Sequence, residues 1–193
     1  MLDLFKLKEA RVHRNEPRTC IWIYGQSGTG KSALAVQIAR KYADDNYFIH
    51  PAGSIKWWDG YVGQPVVIIN DFRRDQCQGV GGFSYLLNIL DRYDVSVEVK
   101  GQITRGLWNV CIITCPVAPD IAWTYRKDSG SELEEHISQL IRRLNYIVEL
   151  RTLDGTTYDF DRTADFRSKY RLGDVVDVPL RHSAVFDLPV VGE

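Results

Sequence analysis

The sequence predicts an α/β fold, with a mostly parallel central sheet flanked by helices and built around one phosphate-binding loop. Two observations carry this. Gly25-Gln26-Ser27-Gly28-Thr29-Gly30-Lys31-Ser32 is a complete G-x-x-x-x-G-K-S run, with an apolar strand-like stretch before it and a helix-periodic one after. Val66-Val67-Ile68-Ile69 and Val110-Cys111-Ile112-Ile113-Thr114 are unbroken apolar runs, as expected of parallel strands buried on both faces.

Each element follows from its own residues. Residues 1–17 alternate charged and apolar positions up to Pro17 and read as a short helical or linker segment. Strand 20–24, the loop, and a helix over 32–43 come next. After the strand at 66–69, Gly79-Val80-Gly81-Gly82 breaks the chain before a helix over 83–90. Residues 95–99 and 102–107 form a hairpin turning at Lys100-Gly101. The strand at 110–114 is ended by Pro116 and Pro119. Ser131 with Glu134 three residues on makes a capping box, predicting a helix that runs to about Arg143. Residues 145–151 and 156–160 flank Asp154-Gly155, a second hairpin. From Asp161 onward the chain reads as a tail with little structure of its own. The division is a linker or oligomerisation segment at 1–18, one domain at 19–160, and a C-terminal tail at 161–193.

Composition narrows the partners. A chain of 193 residues with 45% apolar and 25% charged content suits one soluble domain with a sizeable core. The net charge of −1 excludes a broadly basic surface, so contact with nucleic acid must be local. No apolar stretch approaches a membrane span, and the first residues lack a signal-peptide core. Cys20, Cys77, Cys111 and Cys115 are too few and scattered for a disulfide scaffold and read as buried thiols of a reducing compartment.

The loop residues define a nucleoside triphosphate site. Glycines let the backbone turn its N–H groups toward phosphate oxygens, and the following helix adds the positive end of its dipole. Lys31 reaches the β- and γ-phosphates, and the Ser32 hydroxyl ligates Mg²⁺. A carboxylate leaving a neighbouring strand completes such a site, by holding metal or polarising the attacking water. Asp71 is that carboxylate, for both roles, because Asn70 cannot bind as an anion. Lys56-Trp57-Trp58-Asp59-Gly60-Tyr61 is either a packed surface or a base-stacking platform; Trp57 and Trp58 read as structural because large apolar rings near a core are usually buried.

Taken together, these runs resemble the superfamily 3 helicase domain of the Rep proteins of circoviruses and related circular single-stranded DNA replicons. The likeness rests on the loop, Lys56 to Tyr61, Val66 to Phe72, Leu90-Asp91-Arg92-Tyr93 with Val97-Glu98-Val99-Lys100-Gly101, Ile112-Ile113-Thr114 and Arg142-Arg143. It covers about residues 19–150. It implies an AAA+-like domain that binds ATP with Mg²⁺ between subunits of a ring, a hexamer as a rule, around single-stranded DNA. Lys100 falls on the pore-lining hairpin and Arg105 is a second phosphate contact. Arg142 and Arg143 are candidates for an arginine finger acting in trans, with Arg143, which precedes Leu144, the leading one. The family's second motif usually ends in two acids where this chain has Asn70-Asp71, and its third in Asn where this chain has Thr114-Cys115-Pro116. Thr114 therefore inherits the role of γ-phosphate sensor.

The resemblance also sets what to expect around the domain. Full-length Rep proteins carry a nuclease with a His-hydrophobic-His metal pair, and His13, His50, His136 and His182 form no such pair. The chain is thus expected to lack that nuclease, not to nick DNA, and to be the helicase portion of a longer protein. The host nucleus is the expected site for a eukaryotic virus, the cytoplasm otherwise. Two other readings stand beside the motor: a nucleotide-gated DNA-binding or assembly module, and a small phosphotransferase, for which Arg126-Lys127 is too thin a lid.

Overall fold

The computed structural model describes residues 17–51, 53–126, 132–134 and 136–173. Among these described residues, ten strands and five α-helices follow in order. These are β1 (Thr19–Gly25), α1 (Lys31–Ala43), β2 (Tyr47–His50), β3 (Val66–Ile69), α2 (Gly82–Leu90), β4 (Ser96–Val99) and β5 (Gln102–Arg105). Then come β6 (Val110–Cys115), α3 (Pro119–Trp123), β7 (Thr124–Arg126), β8 (Glu132–Glu134), α4 (Ile137–Arg143), β9 (Tyr146–Leu153), β10 (Thr156–Asp161) and α5 (Thr163–Lys169).

The main sheet runs β10-β9-β1-β6-β3-β2. Its five inner pairings include four parallel ones, and only the β9–β10 hairpin is antiparallel. Alternation along the strands divides the core in two. Ile21, Ile23, Ile68, Ile112 and Val148 pack beneath Leu34, Ala35, Ile38 and Ala39 of α1. Trp22, Val67, Ile69, Ile113 and Ile147 face the other way, toward α2, α4 and Phe166 of α5. The expected parallel sheet flanked by helices is what the chain builds.

Under the β4–β5 hairpin lies an aromatic cluster. Trp58 stacks on Trp108 with ring centroids 4.7 Å apart, and Tyr61 meets Trp108 edge-on. Trp58 is fully buried, as expected, but Trp57 is 39% exposed with the Lys56 ammonium 4.7 Å above its ring. The backbone bridge from Trp57 to Glu98 explains this: consecutive residues point to opposite sides of an extended segment, so only one of the two can enter the core.

Three other expectations shift. The helix before Arg143 begins at Ile137, not at Ser131, because Glu132–Glu134 pairs as β8 with β7; Ser131 itself lies outside the described residues. Cross-strand pairing there outweighs a local capping signal. The supposed tail from Asp161 carries α5, whose Phe166 is buried and whose Thr163 hydroxyl accepts the Ile147 N–H at 2.9 Å. And Arg18, assigned to the linker, is buried at the base of the domain. Among the described residues, no helix is long and apolar enough to cross a membrane.

Candidate functional site

The loop joins the end of β1 to the start of α1. Gly25 sits where only a hydrogen fits: a Cβ there would lie 2.3 Å from the Leu150 carbonyl oxygen of the neighbouring β9. Gly30, at φ 80°, turns the chain through the left-handed region into the helix, which a side chain would strain. Thr29 locks the turn by donating its hydroxyl to the Gln26 carbonyl at 2.9 Å. The Lys31 ammonium folds over the loop and donates to the carbonyls of Gly25 and Gln26, at 2.9 and 2.6 Å. Desolvation lowers its pKa, and the nearby Asp71 carboxylate partly offsets this.

Beside the loop, the ends of β3 and β6 form one polar network. The Asn70 side-chain carbonyl accepts from the Ser32 hydroxyl at 2.7 Å and from the Thr114 hydroxyl at 2.9 Å. Thr114, nearly inaccessible to solvent, also accepts the Asp71 N–H at 2.8 Å. Both hydrogen-bonding roles of Thr114 are therefore spent on holding the Asn70-Asp71 turn. Asp71 adopts φ 51°, a left-handed conformation uncommon for a residue with a side chain, so the network fixes a strained turn. Its carboxylate is exposed and lies 2.8 Å from a guanidinium nitrogen of Arg73.

The oxygen next to the Ser32 hydroxyl belongs to Asn70, not to Asp71, so a hydroxyl and an amide carbonyl meet beside the loop. Both are hard oxygen donors that fit Mg²⁺, though without a formal charge. Asp71 stands one residue further on, outside that contact, with its carboxylate paired to Arg73 and its charge felt by Lys31. Sequence reasoning discounted Asn70 for its neutrality and passed over Arg73. The position of each, within two residues of Asp71 at a strand end, was the available signal.

The remaining candidates lie on other elements. Lys100 is at the β4–β5 tip, its side chain 82% exposed and 3.5 Å from the Asp59 carboxylate, which also accepts the Lys100 N–H at 2.7 Å. Arg105, the expected second phosphate contact, is bound to Asp94 at 2.7 Å. Arg143 is likewise engaged: Nε and Nη2 both donate to Asp91 Oδ2, the former at 3.0 Å, and Nη1 to the Gln139 carbonyl. Arg142 is exposed, and among the described residues no hydrogen bond or ion pair holds its side chain.

Comparison with known proteins agrees with this architecture. Residues 21–108 match the RNA helicase family. The chain is 36% identical over 135 residues to the replication-associated protein of Goose circovirus, an alignment covering 70% of this chain and 39% of that protein. It is 33% identical over 119 residues to the replication-associated protein of Porcine circovirus 1, covering 62% and 35%. A third relative is the genome polyprotein of Simian hepatitis A virus, 32% identical over 165 residues, covering 77% of this chain and 6% of the polyprotein. The chain thus spans well under half the length of the replication-associated proteins it matches.

Proposed function

We propose that this chain, which carries the superfamily 3-type helicase domain of a replication-associated protein, is a DNA-dependent ATPase that assembles as a ring and draws single-stranded DNA through it. The observation that carries the reading is the convergence of Lys31, Ser32, Asn70 and Asp71 on one loop. On binding ATP, Lys31 exchanges its two loop carbonyls for phosphate oxygens. Ser32 and Asn70 would hold Mg²⁺, which would supply positive charge to the β- and γ-phosphates. Asp71 takes the proton of the attacking water as the γ-phosphoryl group leaves ADP, and Arg73, its present partner, turns to the developing charge. Arg142 supplies the finger to the neighbouring subunit. At the hairpin tip, a DNA phosphate displaces Asp59 from the Lys100 ammonium while the backbone bond to Asp59 keeps the tip in shape. The exposed ion pair is weak enough, at ~0–1 kcal/mol, to yield to such a ligand.

ATP turnover measured with and without single-stranded DNA tests the motor. Stimulation by DNA is expected in the native chain, with a loss of at least about a hundredfold in Lys31→Ala. Turnover indifferent to DNA in protein that still binds ATP would sink it.

Asn70 favours a second reading. A neutral oxygen beside Ser32 draws the metal less strongly than a carboxylate, so the site serves nucleotide-gated assembly with little turnover. Asn70→Asp separates the two. If the site is a weakened motor, the variant is expected to reach half-maximal turnover at about tenfold lower Mg²⁺. An unchanged, negligible rate at saturating Mg²⁺ supports the assembly module.

A further inference from the structure

Asp71 and Lys100 stand at opposite ends of one run of hydrogen bonds and short chain segments. The turn that carries Asp71 leaves β3 and continues into a single 3₁₀ turn, Arg74–Cys77. Phe72 and Cys77, both fully buried, anchor this stretch at either side. Between them Gln76 is bonded three ways. Its backbone N–H donates to the Arg73 carbonyl at 3.0 Å, and its side-chain amide donates to the Asp71 carbonyl at 3.3 Å. Its own carbonyl accepts the Ile55 N–H at 3.0 Å.

From Ile55 the run reaches the hairpin in two steps. The Ile55 carbonyl accepts the Trp58 indole N–H at 3.0 Å, and the Trp58 backbone N–H donates to the Glu98 carbonyl of β4 at 2.8 Å. The next residue, Asp59, holds the tip through the Lys100 N–H. Ile55 and Trp58 are fully buried, so a shift at Ile55 is not absorbed by a side chain swinging into water, and the close-packed interior passes it on. The base of the hairpin is fixed separately. The Gly106 carbonyl accepts from the Arg18 guanidinium, and the Leu107 N–H donates to the Tyr61 hydroxyl at 2.8 Å. That base is the pivot, and the β4 side is the arm that leads back to the nucleotide site.

We infer that Gln76 is a positioning residue that couples the nucleotide site to the β4–β5 hairpin, by tying the Asp71 carbonyl to the segment 55–58 beneath β4. The inference rests on the ATPase reading and adds to it the route by which the two sites act on each other. The Asn70-Asp71 turn supplies the two states that such a route needs. In one, Asp71 is paired to Arg73, as in the structure; in the other, a terminal phosphate draws Arg73 away. Release lets the strained Asp71 backbone relax. Its carbonyl then carries the Gln76 amide along, and Ile55 and Trp58 move β4 in turn. Linkage makes the effect reciprocal, so DNA on the hairpin biases nucleotide binding by the same free energy.

DNA affinity measured with and without nucleotide tests this. The full chain is titrated with a fluorescent oligothymidylate, alone and with saturating Mg²⁺ and the β,γ-imido analogue of ATP. The analogue is expected to change the DNA affinity of the native chain about tenfold. In Gln76→Met, which keeps the side-chain length and loses the donor, that change is expected to shrink to about twofold or less. DNA alone and the analogue alone should bind the variant as they bind the native chain, at an unchanged Tm; a merely structural role would lower Tm and weaken both together. A variant that keeps the tenfold change, or that loses Tm and affinity for either ligand alone, overturns the role of Gln76 while the ATPase reading stands. A native chain whose DNA affinity ignores the analogue sinks the motor reading, and Gln76 as its joint falls with it.

Discussion

Replacing Arg142 by alanine is expected to lower ATP turnover about a thousandfold while leaving nucleotide affinity and thermal stability close to native. Arg142 is exposed on α4, and among the described residues its side chain makes no hydrogen bond or ion pair that its removal would break. A finger acts on charge that develops only as the phosphoryl group transfers, so its loss falls on kcat and not on binding. Arg143→Ala should behave oppositely. Its guanidinium bonds to Asp91 tie α4 to the end of α2, while its bond to the Gln139 carbonyl stays within α4, with only 18% of the arginine side chain and 26% of the aspartate side chain exposed. Removing it is expected to cost about 2 kcal/mol of stability, read as a lower Tm, with a smaller loss of turnover. Mixing the two inactive variants Lys31→Ala and Arg142→Ala checks the trans arrangement. In a mixed ring some interfaces join an intact loop to an intact arginine, and partial turnover returns. No recovery on mixing, with assembly intact, removes Arg142 from the mechanism.

Arg18→Ala is expected to be the most destabilising single change, at about 4 kcal/mol in denaturant unfolding. Arg18 is 4% exposed and donates to four backbone carbonyls: Trp108 at 3.3 Å, Ile89 at 3.0 Å, Asp91 at 2.7 Å and Gly106 at 2.9 Å. Its guanidinium also lies 4.7 Å from the centre of the Trp108 ring. The Ile89 and Asp91 carbonyls belong to the C-terminal end of α2, whose dipole favours a cation. Without the guanidinium the Trp108, Asp91 and Gly106 carbonyls lose this donor, the Ile89 carbonyl keeps only the Trp108 indole N–H at 3.2 Å, and a planar face of Trp108 loses its partner. Lysine should recover only a minor part, since one ammonium cannot reach carbonyls spread around a fork. A cost below about 1 kcal/mol would mean that water or a neighbouring residue replaces the guanidinium. The same residue links the chain entering β1 to the base of the β4–β5 hairpin at Gly106, so the structured domain includes Arg18.

Local chemistry made the nucleotide loop legible from residues alone. A run of glycines, lysine and serine between a strand and a helix has few other uses, and its backbone geometry is set within a few residues. The buried parallel strands were legible for a similar reason: β3 and β6 are apolar on both faces, so no alternative register or exposure suits them. Short elements escaped. Strand β2, helix α3 and helix α5 have too few residues to show a period, and they exist because the sheet edge and the core beneath it need cover. The start of α4 was misjudged because a capping signal is local, whereas the pairing of β7 with β8 is not.

By itself, then, the sequence determined the class of fold, the identity of the phosphate loop, and the kinship with the helicase domains of replication-associated proteins. Side-chain partnership across the fold was decided only in three dimensions. Asn70 and not Asp71 meets Ser32, Arg143 meets Asp91 and leaves Arg142 exposed, and Arg105 is taken by Asp94. A residue type announces what it can bind, but which partner is within 3 Å depends on segments 11 to 52 positions away in the chain that only packing brings together.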